Sequence, residues 1–162
     1  MLSIHGWCSL SPFRRIGVLE VERPPVVLEF DNGAWYGLDA VDEWASLVPG
    51  DGLVYLGSQH EPFMVSMFHE LRCLDIIRGQ LIVPRMARKL GIAHHCMNYL
   101  RQMVLCRGDT FIDPYQYPSS INPIQPNSPR RCVDWEAVYH ATELNQQEHA
   151  EWLEGGNGTR YA

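Results

Sequence analysis

The sequence predicts a mainly α-helical domain with a small N-terminal β element, in which a packed pair of helices is followed by a C-terminal helix. Apolar residues recur at helical spacing from Phe63 to Gln80 and again from Ala93 to Cys106. Only the connector of residues 81–92 separates these stretches, so the two helices can lie side by side. A third amphipathic stretch, Asp134 to Leu153, predicts the C-terminal helix.

The β element is predicted within residues 24–57. The run Val26–Phe30 is rich in β-forming residues and ends at the turn residues Asp31-Asn32-Gly33. A short helical turn is expected over Val41–Leu47, and a second strand over Leu53–Leu56. Joined through the helical turn, the two strands could pair as a small ribbon.

The helix boundaries follow from proline and glycine. Pro62 is placed where a helix would start and Gly79 where it would stop, which predicts a first motif helix at about 62–79. The second is predicted at about 93–107, before Gly108-Asp109. We expect one domain over residues 24–153, an N-terminal extension over 1–23 and a flexible tail over 154–162.

Composition narrows the function classes. The chain has 162 residues, of which 46% are hydrophobic and 20% charged, as in ordinary globular domains. Its net charge is -6 and its basic residues are scattered, which argues against nucleic acid and other polyanions as ligands. The aromatic residues Trp35, Tyr36, Phe68 and Tyr99 favour a small, largely apolar molecule or a short peptide instead. No apolar run reaches the ~18 residues that span a membrane, and residues 1–15 do not form a convincing signal peptide.

Histidine and cysteine occur together on both predicted motif helices. His69 and Cys73 are four residues apart and share a helix face, and His95 is followed by Cys96. A packed helix pair could bring His69 and His95 into one polar pocket, where neutral imidazoles can bind a metal. A single histidine on an apolar stripe is more often a packing residue, and free cysteines often only pack. Spacing alone therefore leaves a histidine site and plain packing open.

The motif segments resemble a known family. Residues 68–74 (FHELRCL) and 95–102 (HCMNYLRQ) resemble the paired H-x-x-H-C motifs of the UstYa-like family. Residues 43–50 resemble the segment before the first motif, Cys106 with Asp109-Thr110 the end of the second, and residues 132–135 the C-terminal cysteine element. The resemblance covers roughly residues 24–153.

The resemblance implies a fungal secondary-metabolite tailoring enzyme. Relatives are associated with oxidative cyclisation, hydroxylation or halogenation of peptides and other natural products, with copper implicated in some of them. It implies the secretory pathway as location, although the chain shows no anchor or signal, so that a cytoplasmic location stays open. His69 and His95 become the catalytic and metal-binding candidates, with His94 as a further metal ligand.

The sequence departs from the motifs at three positions. Arg72 replaces the second histidine of the first motif, Ile92 stands at the first histidine of the second, and Arg130 stands two residues before Cys132. Two imidazoles are a small donor set for copper, and a neighbouring guanidinium repels a cation. A second hypothesis is therefore metal-free cyclisation or isomerisation, with His69 or His95 as general acid/base and Arg72 holding an oxyanion. A third is a non-catalytic partner of an intact relative, and a homo- or hetero-oligomer is compatible with each.

Two further sets of residues complete the expectations. Four aromatic residues in or near the matched segments are predicted to bind substrate: Trp35, Tyr36, Phe68 and Tyr99. Four cysteines are candidates for two disulfides in an oxidising compartment, with Cys8 left over and with the pairing open: Cys73, Cys96, Cys106 and Cys132.

Overall fold

A computed structural model describes residues 19–29, 35–113, 115 and 129–156. It confirms a mainly helical domain with small β elements. The helices of this part are α1 (Val41–Ser46), α2 (Ser66–Ile82), α3 (Leu90–Arg107) and α4 (Glu136–Glu154). Its strands are β1 (Pro25–Leu28), β2 (Leu53–Leu56), β3 (Glu61–Met64) and β4 (Arg130–Val133).

The two motif helices pack against each other, as the short connector predicts. Helix α2 continues through Gly79 and ends at Ile82, because Val83 takes the extended backbone favoured before Pro84. The connector contains one 3-10 turn, Arg85–Ala87, and α3 then runs to Arg107. The helices therefore extend beyond the predicted bounds at the Gly79 side and at the start of α3.

Two details of the predicted β element and first helix are wrong. Pro62 does not start α2 but lies in β3, opposite Tyr55 of β2. A two-stranded sheet leaves room for a residue without an N–H donor. The strands β1 and β2 do not form a ribbon: β1 pairs with β4 and β2 with β3, both antiparallel. The turn of residues 57–60 gives β2 a partner much nearer in sequence than β1.

Helix α4 is fastened to β2 by side-chain amides. Asn145 accepts a hydrogen bond from the backbone N–H of Tyr55 (2.6 Å) and donates one to the carbonyl of the same residue (2.9 Å). Gln146 donates to the carbonyls of Pro49 (3.2 Å) and Leu53 (2.9 Å). The amides satisfy backbone groups that the short β2–β3 sheet leaves unpaired, and so fix the position of α4.

The core lies where α2, α4 and the 48–54 segment meet. Phe68 of α2 is completely buried, and its ring meets Tyr139 of α4 edge-on at 5.0 Å. The segment before β2 passes so close that a Cβ added at Gly52 would lie 2.8 Å from Val48 Cγ1 and 3.3 Å from Phe68 Cβ. At Gly50, an added Cβ would lie 2.9 Å from Gln146 Oε1. Both glycines have positive φ, so these two positions require glycine for space and for conformation.

Within the described part of the chain, none of the helices is both long and apolar enough to cross a membrane.

Candidate functional site

The two motif histidines lie side by side on the packed helices. The ring centres of His69 on α2 and His95 on α3 are 6.0 Å apart. Tyr99, one turn after His95, stacks on His69 with ring centres 3.9 Å apart. His69 is half-buried and His95 is exposed, so the pair opens to solvent on one side. The predicted juxtaposition of His69 and His95 is therefore present.

The electrostatic surroundings favour a neutral His69. Burial lowers the pKa of His69 below its ordinary value of 6.5, and the neighbouring His95 lowers it further. The carboxylate of Glu70 acts in the opposite direction, and Arg72 again lowers the pKa. Near neutral pH the imidazole consequently has a lone pair available for a proton or a metal ion.

The other proposed ligands lie less favourably. Arg72 is close enough to affect the titration of His69 electrostatically, as expected for the wall of the site. His94 is exposed, and its Nε2 is 3.1 Å from the Asn98 side-chain amide nitrogen. No group of three or more His, Cys, Asp and Glu side chains in the described residues could hold a metal ion. Of the three histidines proposed as ligands, His69 and His95 have rings that lie close together, 6.0 Å between centres.

The motif cysteines form the inner side of the same helix interface. Cys73 and Cys96 are each 1% exposed and are neighbours across this interface. Burial, together with the neighbouring Cys96, raises the pKa of Cys73 to about 12. No disulfide joins the four described cysteines in the structure; Cys106 is exposed and Cys132 half-buried. Cys8 lies outside the described residues.

The predicted substrate-binding aromatic residues do not form one surface. Tyr99 stacks on His69, but Phe68 is a core residue with 0% exposure and cannot line an open pocket. Tyr36 packs edge-on against Trp44 of α1 at 5.5 Å. Trp35, beside it, is exposed. Phe68 lies in the segment that matches the first motif, which is why the sequence predicts it to bind substrate, but its side chain is buried in the core.

A cavity that the sequence does not reveal has Val65, Ser66 and Met67, which directly precede the first motif, among its lining residues. It has a volume of about 670 Å³ and is walled by β2, β3, β4, the start of α2 and the start of α4. Its polar lining residues are Arg23, Ser66 and Arg107. Arg107 also lies 3.1 Å from the buried Oε1 of Glu70, which it approaches as a charge rather than as an aligned hydrogen-bond donor. Glu70 belongs to the first motif, but its partner Arg107 is 37 positions later in the chain, so sequence spacing does not predict this contact.

A second histidine pair also lies outside the predicted site. Nδ1 of His149 on α4 is 3.2 Å from Nδ1 of His60 in the β2–β3 turn. His149 is buried and stacks on Tyr55 at 3.5 Å, while His60 stacks on Trp152 at 4.3 Å. His60 has a positive φ, unusual for a residue with a side chain. Neither histidine belongs to a motif, and only the fold brings them together.

The family of the chain follows from its sequence match. The family described as "Mycotoxin biosynthesis protein UstYa" matches residues 36–143, which include α1, β2, β3, both motif helices, β4 and the first part of α4. The chain belongs to the UstYa family. No solved structure matches it.

Relatives with curated names are fungal oxidases of this family. The chain is 36% identical to the UstYa family oxidase phomYd of Diaporthe leptostromiformis over 43% of its own length and 26% of that protein. It is 26% identical to phomYb of the same fungus over 66% of the chain and 51% of the relative. It is 34% identical to the oxidase ustYa of Aspergillus flavus over 33% of the chain and 27% of the relative. The chain thus spans about half, or less, of the length of these relatives.

Proposed function

We propose that this UstYa family member is a fungal secondary-metabolite tailoring enzyme that oxidises a small natural product or short peptide at the His69–His95 pair. The observation that carries the proposal is the approach of the two imidazoles on adjacent motif helices, 6.0 Å between ring centres. The relatives named as oxidases support the oxidative class. Cyclisation, hydroxylation and halogenation are the reaction types that family resemblance suggests.

His69 and His95 would hold a copper ion between them, because their ring centres are 6.0 Å apart and neutral imidazole is a common copper ligand. Copper bound by this pair would supply one-electron and dioxygen chemistry.

The protein residues around the pair have separate roles. Tyr99 holds the plane of the His69 ring by stacking, which limits the rotation of the imidazole. Burial keeps His69 unprotonated near neutral pH and therefore able to donate its lone pair. Arg72 adds positive charge near the pair, which disfavours a cation and favours an anionic substrate group.

The same charge supports a metal-free alternative. A neutral His69 could act as general base while Arg72 stabilises the developing oxyanion of a cyclisation or isomerisation. This second candidate is favoured by the electrostatic interaction between Arg72 and His69. If neither chemistry is found, the remaining hypothesis is that the chain is a non-catalytic partner of an intact relative.

Copper titration of purified protein tests the two chemistries. We expect His69→Ala and His95→Ala each to weaken copper binding at least tenfold in calorimetry and to change the electron paramagnetic resonance spectrum. His140→Ala is the matched control because His140 is exposed on α4. Unchanged copper affinity in both motif variants would refute the metal hypothesis. Turnover that survives chelation but is lost with Arg72→Ala would support the metal-free one.

A disulfide between Cys73 and Cys96 is a further part of this proposal. The two buried cysteines are neighbours across the packed motif helices, which is the arrangement that a disulfide needs. An oxidised glutathione or protein disulfide would accept the two electrons and the two thiol protons, and would leave as two thiols when the S–S bond forms. The bond would join the motif helices directly beneath the histidines, as suits a secretory protein.

A further inference from the structure

We propose that the cavity at the start of α2 binds a low-molecular-weight substrate with an apolar body and a single carboxylate, which Arg107 holds at its rim. This inference rests on the proposed function, because it names the substrate class of the same site. It concerns residues other than the motif histidines.

The shape and lining of the cavity indicate an apolar ligand body. Its volume of about 670 Å³ is within the range of small-molecule sites, roughly 300–1,000 Å³. Apolar side chains come from every wall, including Val54 and Leu56 of β2, Phe63 of β3 and Val138 of α4. Burying such side chains against an apolar ligand is favourable by roughly 25 cal/mol per Å².

The charges of the lining indicate an anion. Arg23 and Arg107 are the charged residues that line the cavity, and both are cationic. Glu70 neutralises part of the charge of Arg107 through their 3.1 Å contact, and Arg23 adds a second positive charge to the lining, which therefore stays cationic. The Arg107 side chain is 61% exposed, which leaves guanidinium N–H groups for a second carboxylate.

The cavity is also close to the reactive pair. Val65 and Ser66 line it, and the N–H of His69 donates to the carbonyl of Val65 at 3.1 Å. The cavity lining therefore begins within one helical turn of His69, and helical side chains generally lean toward the N-terminus of their helix. A ligand anchored at Arg107 would therefore extend toward the histidines from one helical turn away.

Two matched fluorescent probes test the charge requirement. 8-Anilinonaphthalene-1-sulfonate and N-phenyl-1-naphthylamine have the same aromatic body, but only the first is an anion. We expect wild-type protein to bind the sulfonate at least tenfold more tightly. Arg107→Gln should weaken sulfonate binding by about 10-fold to 100-fold, the loss of a charge-assisted contact, and leave the neutral probe unchanged. Arg101→Gln on the same helix, an exposed arginine outside the cavity lining, is the control.

Further variants test whether the probes bind in the cavity and whether positive charge attracts the sulfonate. Glu70→Gln should strengthen sulfonate binding several-fold, because Arg107 then keeps its full charge. Val133→Trp, at a 48% exposed position of the lining, should weaken both probes by filling the cavity, whereas Val27→Trp on the paired strand should not. Far-UV circular dichroism and a cooperative melt check that each variant is folded.

Equal affinity for the two probes, or sulfonate binding that ignores Arg107 and Val133, would overturn the proposal. The probes do not require the histidines, so His95→Ala should bind both normally. If His95→Ala fails to alter copper binding or turnover while the probe results hold, the oxidase proposal falls and the cavity assignment stands. If copper binding depends on His95 but the probes do not bind, the reverse is true.

Discussion

Forming a bond between Cys73 and Cys96 should stabilise the protein substantially, and the structure sets the size of the effect. The bridge would close a loop of roughly 24 residues, for which the chain-entropy relation gives about 3.4 kcal/mol. For a chain of this length, 1 kcal/mol corresponds to about 2–4 °C in Tm, so the oxidised form should melt about 7–14 °C higher. Both cysteines are buried, and any strain that the bridge imposes on the folded state would lower this gain.

Paired melts of each variant with and without reductant measure the effect. Protein refolded in a glutathione redox buffer is compared before and after dithiothreitol, so that the packing cost of any substitution cancels within one variant. Cys96→Ser should abolish the difference between the two melts, whereas Cys106→Ser and Cys132→Ser should leave it. The intact mass of the oxidised wild type should be lower by two hydrogen atoms.

The result that would refute this reasoning is specific. If the reductant-dependent melt persists in Cys96→Ser but disappears in Cys106→Ser or Cys132→Ser, another pair carries the bond. If maleimide labels Cys73 and Cys96 fully after unfolding without reductant, the pair stays reduced. We expect the folded protein to form the disulfide slowly. The thiolate is the reactive species, and the high pKa of the Cys73 thiol keeps the thiolate population small.

Three other predictions concern stability and metal binding. Asn145→Leu removes both hydrogen bonds to the backbone of Tyr55 and should cost about 2–4 kcal/mol in guanidinium unfolding; a loss under 0.5 kcal/mol would show that water replaces the amide. Burial and the neighbouring His60 lower the pKa of His149 in the folded state. The unfolded chain therefore binds more protons, so stability is complete above the ordinary value of 6.5 and falls as pH decreases below it; His149→Gln should flatten this slope, and an unchanged slope would contradict the assignment. Arg72→His restores the first H-x-x-H-C motif and should raise copper affinity at least tenfold in calorimetry; equal or lower affinity would exclude position 72 from the coordination sphere.

The helices could be predicted because their signals are local. Apolar residues at helical spacing gave both motif helices, the short connector placed them side by side, and Gly108 marked the end of α3. The strand pairing could not be predicted, since β1 finds its partner in residues 130–133, more than 100 positions later. The helix start predicted at Pro62 is wrong because proline suits both the first turn of a helix and a strand of a two-stranded sheet.

Part of the candidate site could likewise be predicted from local sequence patterns, and part could not. Motif spacing was enough to expect His69 and His95 together, because each histidine occupies a fixed place on a helix of predictable orientation. Phe68 was misassigned because its helix face is decided by α4, which packs from a distant part of the chain. The cavity and its Arg107 arise where six segments meet, and no local pattern encodes such a meeting.

The two glycines before β2 limit which parts of this fold can be substituted when the chemistry of the protein changes. Gly50 and Gly52 leave no room for another side chain beside Gln146 and Phe68, so the segment that resembles the family before its first motif acts as a spacer between α2 and α4. His94 and His95, by contrast, are exposed on α3. Residues at these exposed positions of α3 can thus be exchanged at little cost in folding, whereas those of the spacer cannot. A library that seeks new reactions should vary the exposed helix faces and leave residues 48–52 intact.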